Sequence, residues 1–161
     1  MNWLSMYVAE TIALCALTLT TWHAHTQRQH NKISLKPHLF TFNTRDKTNN
    51  VARLEALLTN NGLGPAFIKK YQVFLNGQPY EAEAAVKLVL GDLSKNASHT
   101  ILGDDYAMRQ NEVKTLLSVS FHAHSWDEIE AVENRLDKLD LLINYSSAYG
   151  EKCVLDTRKD V

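Results

Sequence analysis

Residues 113–121 read VKTLLSVSF, with Val113, Thr115, Leu117, Val119 and Phe121 alternating against Lys114, Ser118 and Ser120. A period of two sends successive side chains to opposite faces of a pleated strand. One face in a core and one in water is the pattern of an antiparallel sheet. The same period recurs on both sides of this stretch. Phe40 and Phe42 alternate in LFTFNT, and Ala52, Leu54, Ala56 and Leu58 in VARLEALLT. Tyr71, Val73 and Leu75 continue it in IKKYQVFL, then Leu141, Ile143 and Tyr145, then Cys153 and Leu155. VARLEALLT also admits a short helix, because Val51, Leu54 and Leu58 would share a helical face. Turn residues punctuate the strands: Asn60-Asn61-Gly62 with Gly64-Pro65, Asn76-Gly77, and Ala148-Tyr149-Gly150. Two helices interrupt the pattern. Within residues 81–93, Ala82, Ala85, Val86, Val89, Leu90 and Leu93 share one face, and Gly91 weakens the last turn. Ser125 with Glu128 three residues on forms a capping box, followed by the stripe Ile129, Val132, Leu136 and Leu139. The expected fold is mainly β, an antiparallel β-sandwich over residues 39–161 with two short helices in its connections.

Composition is that of a globular chain of one ordinary domain: 161 residues, 45% hydrophobic and 22% charged, with net charge −1. That balance excludes nucleic acid as a default partner. Two cysteines, Cys15 and Cys153, exclude a disulfide scaffold and a four-cysteine zinc site.

The N-terminus departs from the average. Trp3 to Trp22 carry a single formal charge, Glu10. As a helix the run reaches ~30 Å, the thickness of a hydrocarbon core. Leu4, Val8, Ile12, Leu14, Leu17 and Leu19 each favour insertion by roughly 0.3–0.6 kcal/mol, against about 2.5–3.5 for a central charge. Ala, Cys, Met and the flanking Trp residues tip that near-balance towards insertion, the alternative being a buried helix. No Lys or Arg precedes the run and no small-x-small cleavage site follows, so a cleaved signal peptide fits poorly. Residues 1–24 are therefore expected to be a transmembrane anchor and 25–38 a basic juxtamembrane linker. Residues 23–47 hold five basic residues against one acid, and residues 48–161 twelve against sixteen. The positive-inside tendency then places the chain as a single-pass protein of a bacterial inner membrane with its C-terminal domain cytoplasmic. Arg28, Lys32 and Lys36 would contact lipid headgroups. Ala9, Ala13 and Ala16 form a small-residue stripe beside Glu10, suited to pairing with another helix in the membrane.

HNKISLKPHLF (30–40), NNGLGPAFIKKYQVFLNG (60–77) and LLINYSSAYGEKCVLD (141–156) resemble segments of small bacterial membrane proteins with one N-terminal transmembrane helix. The resemblance implies an immunoglobulin-like β-domain after the anchor. It carries over no catalytic residue.

Other stretches carry residue types suited to chemistry. His122 and His124 project from one strand face and can offer two imidazoles to zinc or copper, with Asp127, Glu128 or His99 as a third ligand; a polar strand face before a helix cap is the plainer reading. NNGLGPA, with Lys69 and Lys70 nearby, can form an anion nest, but it lacks a P-loop's GK[ST] ending, and a corner turn explains it better. Asp104-Asp105 has no EF-hand spacing around it. No cofactor is expected. The functional expectation is a non-enzymatic scaffold: a membrane-held sandwich engaging lipid and a protein partner, or a second copy, through the helix or a sheet edge. The alternative is a metal- or anion-dependent sensor or enzyme built on His122 and His124.

Overall fold

The computed structural model describes residues 3–159, with the side chains of residues 3–6 and 159 excluded. The chain divides after Leu35 into two compact units. The first is one helix, α1 (Trp3–Ser34). It contains no Gly or Pro, and Thr11, Thr18, Thr20 and Thr21 each donate their hydroxyl to a carbonyl one turn back. Residues 25–34, expected in a linker, are thus helical. Pro37 disfavours helical geometry at Lys36 and stops further propagation.

Among the described residues no helix is long and apolar enough to cross a membrane. Trp3, Leu4 and Ser5, which opened the expected run, have side chains outside the described residues. From Tyr7 onward five aliphatics (Val8, Ile12, Leu14, Leu17, Leu19) supply roughly 1.5–3 kcal/mol of insertion free energy, no more than a central charge opposes. Four threonines and the polar stretch His23–Lys32 dilute the remainder. The single-pass inner-membrane location therefore does not hold.

The second unit contains two antiparallel sheets. The first has the order β1 (Leu39–Thr48), β2 (Val51–Asn60), β7 (Val113–His122), β5 (Ala97–His99). The second has the order β4 (Gln78–Tyr80), β3 (Ala66–Leu75), β8 (Leu139–Ser146), β9 (Lys152–Asp156), and β6 (Ala107–Met108) adds to β3. Helix α2 (Ala82–Leu90) runs into a 3₁₀ turn (Gly91–Asn96), and α3 (Trp126–Leu136) joins β7 to β8. VARLEALLT is a strand. Leu139, expected on the stripe of α3, instead begins β8.

Tight turns follow the chirality rules. Asn76 and Gly77 both have positive φ in the β3–β4 hairpin, and Asn49 and Asn50 do the same between β1 and β2. Between the sheets, Asn60 organises the corner from β2 to β3. Its side chain, wholly buried, accepts from the His38 and Gly62 amides at 3.1 Å each. It donates to the Gly64 and Met108 carbonyls at 2.8 and 3.2 Å. Four backbone groups that would otherwise be orphaned are satisfied by one amide.

The core is in two parts. In one, Leu54, Leu117, Val119 and Phe121 of the first sheet pack against α2 (Val86, Leu90) and α3 (Ile129, Val132). In the other the sheets meet directly, Leu58 and Leu116 against Ile68, Ile143 and Tyr145. Two bulges fall near the seam. On β7, Ala56 pairs with Leu117 but Leu57 with Thr115, leaving Leu116 as an extra residue; on β3, Lys69 is extra in the same way. The β7 bulge breaks the expected alternation. Leu116 is buried alongside Leu117, and Val113 is exposed. Along the seam lies a cavity of about 360 Å³.

Candidate functional site

The outer strand β1 pairs with β2 through all ten residues, and no other described strand pairs with it. Its register against β2 sets which side chains face the core. Leu39, Thr41, Asn43, Arg45 and Lys47 lie opposite the inward residues Asn60, Leu58, Ala56, Leu54 and Ala52. Only Leu39 of the five is apolar, so this edge contributes little to the core. Arg45 reaches Glu133 of α3 at 3.4 Å. Lys47 donates to the His124 carbonyl at 2.8 Å and lies 5.9 Å from the Trp126 ring centre. Inward-facing charges of this kind blunt a sheet edge against further pairing.

The other half of the strand has no such protection. Leu39–Thr44 is uncharged. On its outer face Phe40 and Phe42 stack with ring centres 6.4 Å apart, and Phe40 is 47% exposed. Their cross-strand neighbours are Thr59 and Leu57, with the exposed Val113 beyond Thr59. An unpaired backbone edge therefore runs beside an exposed apolar face.

The histidines stand elsewhere. His122 ends β7 and His124 follows it, both exposed on either side of the buried Ala123. The His124 amide donates to Glu128 at 2.9 Å, and the Glu128 amide donates to Ser125 Oγ at 3.3 Å, which is the expected cap of α3. Among the described residues no group of three or more His, Cys, Asp or Glu is placed to hold a metal ion. In NNGLGPA, the Gly62 amide is taken by Asn60 and the Asn61 amide by the His38 carbonyl at 2.8 Å, so neither is free for an anion. Asp105 pairs with Lys69. Cys153 packs half-buried against the inter-sheet core, and Cys15 is exposed on α1; both are free thiols.

Ala9, Glu10, Ala13 and Ala16 are exposed on α1, as is Arg28; Lys32 is half-buried, and Lys36 is exposed beyond the helix.

Burial shapes the aromatic hydroxyls. It pushes the Tyr71 phenol up to about 12, and it raises Tyr145, whose oxygen accepts from the Leu39 amide at 3.4 Å. Tyr106 is raised by burial and by its bond to Glu112, and that bond lowers the Glu112 carboxyl.

The β1 edge was half legible in the sequence. LFTFNT announces a strand, but nothing in it says that the strand lies at an edge. Two antiparallel sheets define the second unit as mainly β. No protein-family model matches the chain, and no curated protein matches it.

Proposed function

We propose that the chain is a non-enzymatic interaction module, an immunoglobulin-like sandwich that accepts an extended segment of a protein partner along the Leu39–Thr44 half of β1. The fold part of this reading is supported by strand order: β1-β2-β7-β5 and β4-β3-β8-β9 follow the A-B-E-D and C′-C-F-G orders of that class. The observation that carries the binding part is the uncharged, unpaired half-edge flanked by the exposed Phe40. Strand addition draws affinity from main-chain hydrogen bonds and selectivity from alternate side chains. A partner segment with apolar residues at every second position would cover the Phe40 and Phe42 face.

Site-specific photo-crosslinking tests this in cells that make the protein. A crosslinker at the outward-facing Phe40 should give a discrete adduct that is absent from Lys152, on the edge strand of the other sheet, and abolished by Phe42→Asp. Adducts equal at both positions, or none at Phe40, would refute the edge as the binding surface.

A further inference from the structure

The cavity along the seam between the two cores follows from the side chains that meet there. At this level the first sheet turns the small Ala56 and the polar Thr41 and Asn43 inward, where larger side chains would have closed the gap. Leu54 and Leu117 form one wall, and Val73, Leu139 and Leu141 face them from the second sheet. Bulges that re-aim strands commonly stand beside binding sites, and here the extra residue Leu116 lines the space. Its ~360 Å³ falls at the small end of the range for small-molecule pockets.

Two polar features narrow the ligand. Tyr71 lines the cavity, and its hydroxyl bonds no other described residue; every fully enclosed polar side-chain atom among those residues has a partner, so this hydroxyl is not sealed off from a ligand or solvent. A phenol held in its protonated form is a hydrogen-bond donor in search of an acceptor. Charge supplies the second constraint. The lining contains no Lys or Arg, and its four carboxylates, Glu55, Glu133, Asp137 and Asp140, outnumber its one imidazole, His99. A carboxylate or phosphate would be repelled and left unneutralised. Glu55 already pairs with Arg53 at 2.7 Å, Glu133 pairs with Arg45, and Asp140 accepts from the Thr157 hydroxyl at 3.2 Å, so an added cation competes with partners already in place.

We propose that this cavity binds a small uncharged, largely apolar molecule through one hydrogen-bond acceptor placed at the Tyr71 hydroxyl. Thr41 and Asn43 of β1 line the cavity from inside, whereas strand addition would use that strand's outer backbone edge, so ligand binding requires no partner there.

The test is calorimetric titration of the full chain with 1-octanol, alongside octanoate, octylamine and toluene. The expected result is saturable one-to-one binding of octanol, with octanoate and octylamine at least tenfold weaker. Tyr71→Phe should weaken octanol about tenfold and leave toluene unchanged. Ala56→Leu, which fills the cavity, should abolish binding while the circular dichroism spectrum is kept. Absence of saturable octanol binding overturns the proposal, as does octanoate or octylamine binding as tightly as octanol. If Ala56→Leu does not fold, Tyr71→Phe decides, since unchanged octanol affinity in that near-isosteric variant is equally fatal.

Discussion

A methyl group on Gly62 would stand 2.3 Å from the His38 nitrogen and 2.4 Å from the Lys36 oxygen. Both are backbone atoms, and neither can swing aside as a side-chain tip would. The glycine is there for space, so that the chain leaving β2 can lie against the segment leading into β1 while Asn60 bonds both. Gly62→Ala should therefore lower stability by about 1–3 kcal/mol, the usual range for overpacking. Gly103→Ala, with open space around it, should change stability by less than about 0.5 kcal/mol. Urea midpoints compare the two, and equal midpoints would mean the corner is not closed as described. The sequence announces a turn at Asn60-Asn61-Gly62. It does not announce that one buried side chain serves four backbone groups, because those partners lie up to 48 residues away.

Along β7 the alternation and the fold part company at one point. Continued strictly, the pattern buries Thr115 and exposes Leu116. The bulge opposite Ala56 reverses this, and Leu116 is 4% exposed. Leu116→Ala should cost about 2–4 kcal/mol by cavity formation, and Thr115→Ala less than 1. Chemical denaturation of the two variants measures the contrast, and a larger loss at Thr115 would restore the unbroken register. Other parts of the element pattern were readable beforehand, although β2 also admitted a helix. Ala52, Leu54 and Leu58 are buried on β2, and Ser125 caps α3, because each depends on neighbours within a turn or along one strand. The short strands β4, β5 and β6, of two or three residues, carry no period long enough to read.

Both core clusters draw all their members from residue 39 onward, within the unit that begins at Lys36. The hydrophobic burial that offsets chain entropy is thus contained in that unit. Residues 36–161 expressed alone should unfold cooperatively, with a urea midpoint within experimental error of the transition that the full chain shows for its sheets. Loss of cooperative unfolding in the fragment would show that the preceding helix contributes to the sheet unit's stability. At this scale the cavity matters as well. It separates the clusters, so a ligand bound in it would touch both and raise the unfolding temperature by mass action.

By itself the sequence determined local facts: most of the long strands, where α3 is capped, and that two helices interrupt a mainly β chain. These follow from periodicity and turn chemistry within a few residues. Only the tertiary structure decided which strand lies at an edge, where the two bulges fall, and that small and polar inward residues at Thr41, Asn43 and Ala56 coincide at one level. Edge position, bulge and cavity are relations between segments distant in the chain, and no local pattern encodes the partner a strand does not have. The N-terminal helix shows the same limit in reverse. Its apolar run suggested a membrane, but the helix continues through ten polar-rich residues to Ser34, and among the described residues its apolar content falls short of a span.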